Sequence, residues 1–173
     1  RSETIALVAH SMGGLISRYY LSQYGATANG KKVRILVTLG TPHCGSRLTH
    51  GSTWWLPVDS EGYAQLTENY CTQDFNRKYT GTAYARTYFF AGNAGASSSW
   101  DKYRSGHKKL NSRTPCGLTN ASDGAVTVRS AHGRYISESC ADEKQVKASF
   151  SSGGREYLYA FGADHNQMKY DDD

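Results

Sequence analysis

The 173 residues carry 20 Lys+Arg against 15 Asp+Glu, a formal net charge of +5, with 38% apolar and 20% charged residues. That length accommodates one domain with a sizeable core, and the composition is too apolar for a wholly disordered chain. The basic residues are scattered, with short pairs only at Lys31-Lys32 and Lys108-Lys109, so nucleic acid is not an expected partner, and no stretch has the apolar length of a transmembrane segment.

The first element is the apolar run Ile5-Ala6-Leu7-Val8, expected as a strand over Ile5–Ala9. It leads straight into Ala9-His10-Ser11-Met12-Gly13-Gly14, which reads as a very tight turn with one serine at its tip. Met12, Leu15, Ile16 and Tyr19 then recur at helical spacing, predicting a helix from Met12 to about Tyr24 with Gly25 as its stop. An ordinary turn with a capping serine shares the bare letters; the strand before and the periodic helix after are the context that separates the two. A second strand is expected over Val33–Leu39, and both strands are nearly continuous in apolar character, as parallel strands covered on both faces are. Strand, helix and strand together imply a right-handed crossover in a parallel sheet.

Further along, Gly40-Thr41-Pro42-His43-Cys44-Gly45-Ser46 closes the second strand. Residues 47–80 have weak periodicity and include Trp54-Trp55-Leu56, either an apolar surface or side chains packed beneath a loop. A third strand is expected over Tyr84–Gly92, and residues 93–118 read as an irregular excursion. Asp123-Gly124 follows, with glycine allowing a sharp backbone turn beside the carboxylate. The last strand, Glu156–Gly162, is followed three residues later by His165, and the tail Asp171-Asp172-Asp173 is expected to fray.

Four cysteines, Cys44, Cys71, Cys116 and Cys140, lack metal-ligand spacing. Two disulfides have three possible connectivities; Cys44–Cys71 and Cys116–Cys140 are preferred because each would staple one long irregular segment. Bridges imply an oxidising compartment, hence a secreted protein, and Asn120-Ala121-Ser122 is a glycosylation sequon that fits such a route.

The turn Ala9-His10-Ser11-Met12-Gly13 resembles the nucleophile elbow of α/β-hydrolases, particularly the lipase and esterase branch, with Ala9 standing where that pattern usually has Gly. Gly40-Thr41-Pro42-His43-Cys44-Gly45-Ser46 is similar to a Gly-Thr-Pro-His-x-Gly-Ser stretch that such lipases carry after the next strand. Asp123-Gly124-Ala125-Val126-Thr127-Val128-Arg129-Ser130 resembles the surroundings of their acid, and Asp164-His165-Asn166-Gln167-Met168 resembles their closing Asp-His-x-x-Met. The likeness covers about residues 3–46 and 119–168.

What the resemblance implies is a partial α/β-hydrolase fold: an α/β architecture with a mostly parallel sheet flanked by helices, lacking its first strands. It also implies a lid or cap-like insertion at about 47–80. Ser11 would be the nucleophile, His165 its base and Asp123 the orienting acid, in the chain order Ser–Asp–His that this fold uses. A serine hydroxyl needs that help, because alone it is a poor nucleophile near neutral pH. The Met12 N–H would donate to the oxyanion, and His10, His43, Trp54 and Trp55 would line the substrate. An ester or lipid would be cleaved without metal or organic cofactor.

An α/β-hydrolase normally has several strands before the elbow, and one of their loops supplies a second oxyanion donor. The expectation is therefore a carboxyl-terminal half, 1–173, completed by a missing amino-terminal half or a companion chain; alone, Ile5–Ala9 would be an exposed apolar edge. Two other readings stay open: a non-catalytic fragment or subunit that retains hydrolase motifs, and an acyltransferase or amidase using the same site.

Overall fold

Four strands, β1 (Ile5–His10), β2 (Val33–Leu39), β3 (Arg86–Gly92) and β6 (Glu156–Phe161), form one parallel sheet in the order β1-β2-β3-β6. In the computed structural model, the described residues are 3–49, 60–80, 82, 85–112, 121–136, 145–147 and 156–169. A short antiparallel pair, β4 (Arg134–Ile136) and β5 (Gln145–Lys147), stands apart from the main sheet. Helix α1 (Gly13–Tyr24) connects β1 to β2, as the periodicity requires. No helix among the described residues is long and apolar enough to cross a membrane.

Strand register decides which side chains share a face. Val8, Val37, Tyr88 and Tyr157 form one row, and His10, Leu39, Phe90 and Tyr159 the next. The alternate residues, among them Leu36, Thr38, Phe89 and Ala91, point to the opposite face and are buried. There Leu21 of α1 packs with Val33, Leu36 and Ala85, while Phe89 packs with Cys44. The helix therefore covers one face only.

Among the described residues, the first face is not covered as the apolar strands led one to expect. Val8 is 66% exposed and Tyr159 45% exposed, although Tyr88 stacks on Tyr157 and Phe90 on Tyr159. β1 occupies the sheet edge with Ile5 exposed, in line with the apolar edge expected of it.

Between β2 and β3 lie α2 (Glu61–Ala64), a π-helical stretch Tyr70–Phe75 and α3 (Asn76–Lys78). Ser60 caps α2 through Tyr63 N–H. Leu66, Cys71 and Phe75 bury themselves against Leu15 of α1. The segment after β3 departs from expectation: in place of an irregular run it holds α4 (Asp101–Ser112), a twelve-residue helix. Only Tyr103, Gly106 and Leu110 of that helix are fully buried, a stripe too narrow and too interrupted by glycine to announce itself. A short helix α5 (Val128–Ala131), capped by Thr127, packs Ala131 against Ala91, Ala125 and Val126.

Candidate active site

The tip of the elbow is held in an unusual backbone state. Ser11 has φ 54°, the sole positive φ of any non-glycine among the described residues. For an L-residue that conformation is strained, and such strain persists where the surroundings fix it. Here the Ser11 N–H donates to the Leu39 carbonyl at 2.9 Å, and Gly14 N–H returns to the Ser11 carbonyl at 3.1 Å. A side chain on Gly14 would come within 2.2 Å of Thr41 Oγ1, whereas one on Gly13 would meet only Ala9 Cβ at 3.7 Å. Close approach in this elbow thus depends on Gly14, which sets α1 against the loop after β2.

Three side chains far apart in the chain meet at this tip. Ser11 O–H donates to His165 Nε2 at 3.1 Å, and His165 Nδ1–H donates to Asp123 Oδ2 at 2.7 Å. Asp123 is 1% exposed, and its two oxygens divide their work. Oδ1 accepts from Ala125 N–H at 2.8 Å and Val126 N–H at 2.7 Å, leaving Oδ2 for the imidazole. The carboxylate is acceptor-only, so it fixes the histidine proton on Nδ1 and leaves an Nε2 lone pair facing the hydroxyl. Gly40 belongs to the same corner: a Cβ there would lie 2.8 Å from Asp123 Oδ2 and 3.1 Å from His165 Nδ1.

The acid turn is buttressed from two directions. Ser46 O–H donates to the Ala125 carbonyl at 2.6 Å, and Ser130 O–H donates to the Gly45 carbonyl at 2.6 Å while accepting from Cys44 N–H at 3.1 Å. The loop after β2 and the loop bearing Asp123 are therefore laced together by two serines. Behind them, Gly106 of α4 presses on Gly124, whose φ of 92° demands glycine. His107 bonds Ser122 Oγ at 2.9 Å, and burial lowers its pKa.

Asp164, next to the histidine, does not orient it. Its Oδ2 accepts from Ser98 O–H at 2.6 Å and its Oδ1 from the N–H groups of Asn166 and Gln167 at 3.0 Å each. It shapes the loop that carries His165. Neither Ser98 nor His107 stood out in the sequence, because the partner through which each bears on the site, Asp164 for Ser98 and Ser122 for His107, lies more than a dozen residues away.

His43 is misplaced by the expectation that it lines substrate. It is 0% exposed, accepting from an Arg18 guanidinium N–H at 3.2 Å and donating through Nε2 to Thr38 Oγ1 at 3.1 Å. Burial, reinforced by the Arg18 cation, pushes its pKa well below the usual histidine value. Arg18 itself is fully buried, donating to the Tyr79 carbonyl at 3.2 Å and lying 5.0 Å over the Phe75 ring, and desolvation brings it down to about 9. This pair bolts α1 to the loop after β2. His10, the other histidine near the tip, turns to the His165 main chain at 2.8 Å. Trp54 and Trp55 lie outside the described residues.

Cys44 and Cys71 are free thiols, so the expected bridge between them is absent. Both are buried: Cys71 Sγ–H faces the carbonyls of Gln65 at 3.4 Å and Pro42 at 3.7 Å, and Asn76 Nδ2 faces Cys44 Sγ at 3.9 Å. Burial raises both thiol pKa values, Cys71 to about 12, which keeps them protonated. Cys116 and Cys140 lie outside the described residues.

Met12 stands at the N-cap of α1, where backbone N–H groups lack intrahelical acceptors. Its side chain joins Leu15, Ile16, Tyr19, Phe75 and Tyr79 in walling a cleft of about 370 Å³.

Residues 1–78 match the model of the PGAP1-like alpha/beta domain. No curated protein shows significant similarity to the chain. Among solved structures, the mature lipase BlEst2 of Bacillus licheniformis superposes with a TM-score of 0.59 at 20% identity, over 96% of this chain and 60% of that one. The fold is that of the α/β-hydrolases. The metagenomic carboxyl esterase MGS0156 gives a TM-score of 0.58 at 20% identity, over 94% of this chain and 45% of that one. The Staphylococcus hyicus lipase gives 0.59 at 15% identity, over 95% and 62%. The chain thus spans roughly half to three fifths of these α/β-hydrolases, all of which are lipases or esterases by description.

Proposed function

We propose that this chain carries the reaction centre of a serine carboxylic ester hydrolase, lipase-like in substrate, working through an acyl-enzyme on Ser11. The observation that carries the reading is the unbroken contact path from Ser11 Oγ through His165 to the buried Asp123 carboxylate. The fold shared with lipases and esterases agrees with it.

In this mechanism Ser11 Oγ attacks the ester carbonyl carbon while its proton passes to His165 Nε2. Asp123 stabilises the resulting imidazolium through Nδ1–H without taking its proton. The Met12 N–H donates to the oxyanion; such donors contribute about 2.7–4 kcal/mol each in other enzymes. Collapse expels the alcohol, which leaves with the proton from Nε2. Water, activated by the same imidazole, then attacks the acyl-enzyme and frees the acid. The cleft beside Met12, walled by aliphatic and aromatic side chains, suits an apolar acyl group, as in a triacylglycerol or a simpler acyl ester.

Turnover of p-nitrophenyl esters by the full polypeptide tests the proposal. Ser11→Ala is expected to lower kcat by about 10,000-fold or more, with His165→Ala close behind. Wild-type rates that survive Ser11→Ala would refute it.

A further inference from the structure

His10 immediately precedes the nucleophile, yet none of the steps above uses it. Its Nε2–H donates to the main-chain carbonyl of His165 at 2.8 Å, and the two imidazole rings lie with centroids 4.5 Å apart and planes tilted 47°. The other side of the same residue is held too, since His165 N–H donates to the Asp123 carbonyl at 2.9 Å. The main chain of His165 is therefore gripped at its amide by the residue that supplies the acid and at its carbonyl by the neighbour of Ser11.

We propose that His10 is a positioning residue whose hydrogen bond to the His165 carbonyl sets the Ser11–His165 separation. The proposal rests on the reading of Ser11, His165 and Asp123 as the reaction centre, and it replaces the expectation that His10 touches substrate. His165 sits on a loop, 154 residues from Ser11, and nothing covalent nearby fixes their spacing. His10 ends β1 and so belongs to the rigid sheet. Tying the histidine loop to that strand end holds Nε2 in register with Oγ, and displacements of about 1 Å in such geometry can slow a reaction about a hundredfold. The charge state agrees. Burial first, then the His165 imidazole, brings His10 down to about 4, with Lys169 acting the same way and the hydrogen bond to the His165 carbonyl and the Asp123 charge opposing. At neutral pH His10 is uncharged and places no cation beside the ring that must become imidazolium.

Two substitutions in the full polypeptide separate donor from bulk. His10→Phe keeps a planar ring without a donor, and His10→Gln carries an amide N–H near the Nε2 position. A p-nitrophenyl phosphonate counts reactive Ser11, and kcat and KM for p-nitrophenyl butyrate are then expressed per reactive site, so that unfolded protein does not enter. His10→Phe is expected to lose about ten- to a hundredfold in kcat with KM within about twofold, and His10→Gln to recover to within about threefold of wild type. His10→Leu serves as a second donor-less variant. Wild-type kcat per site in the donor-less variants, or a glutamine variant no better than they are, would overturn the positioning role while Ser11 labelling stood. Absence of labelling in the wild-type polypeptide would remove the reaction-centre reading and this inference together.

Discussion

Asp123 illustrates how much a single side chain is asked to do. One oxygen closes its own turn through Ala125 and Val126, and the other holds His165, so the carboxylate serves its own loop and the proposed reaction centre at once. Asp123→Asn keeps the size but reverses the preference for the Nδ1–H tautomer. In a Ser–His–Asp enzyme the equivalent change costs about 10,000-fold in kcat. The same order of loss is expected here, with KM little changed, from steady-state kinetics on a p-nitrophenyl ester. Gly14 makes a purely structural prediction. Gly14→Ala puts a methyl into the Thr41 side chain, and overpacking of this kind costs about 1–3 kcal/mol. Denaturant unfolding of that variant should show a lowered midpoint with an unchanged slope.

At the scale of elements, the strands and the elbow helix were readable because burial imposes its periods directly on the letters. Ile5–His10, Val33–Leu39, Gly13–Tyr24 and Glu156–Phe161 match the expected segments to within a residue or so. Helix α4 was not readable. Its contribution is made by Gly106, which matters for the side chain it lacks, and by Tyr103 and His107, whose partners Gly124 and Ser122 belong to another loop. The role of His43 was misread for a related reason: a motif position adjoining the site does not reveal whether the side chain points outward or inward. Arg18, a buried cation contributed by α1, and Thr38 of β2 are the partners that hold it inward. The helix can be tested where it touches the acid turn. A Cβ on Gly106 would lie 1.9 Å from the Gly124 carbonyl oxygen, whereas one on Gly162 meets nothing within 4 Å. Gly106→Ala is expected to lower both Tm and ester turnover, and Gly162→Ala to leave both near wild type.

For the whole molecule, protonation and an open face set the conditions of stability. His43 and His10 are both held neutral by burial, with folded-state pKa values below the usual 6.5. Below pH 6.5 the unfolded chain binds protons that the folded one refuses, so their contribution is complete above 6.5 and is lost as pH falls toward about 4, the His10 value. The Tm should therefore decline from pH 7 to pH 5, and the decline should be shallower in His43→Gln. The sheet face bearing Val8, Tyr88, Phe90, Tyr159 and Phe161 is open to solvent among the described residues, a kind of surface that drives association. Residues 1–173 in isolation are expected to self-associate in sedimentation velocity, and Val8→Lys with Tyr159→Lys to shift them toward monomer.

Secretion of the chain, which we propose from its cysteine content, also has a direct readout. Alkylation of the denatured, unreduced protein should modify Cys44 and Cys71 only if Cys116 and Cys140 are bridged, and all four cysteines if they are not.

The most direct test of the account is the site at which an ester-mimicking phosphonate attaches to the full polypeptide. Peptide mapping by mass spectrometry should find one adduct, on Ser11, whose formation slows sharply in His165→Ala and Asp123→Asn. An adduct on another residue, or one on Ser11 that forms equally fast without His165, would contradict it.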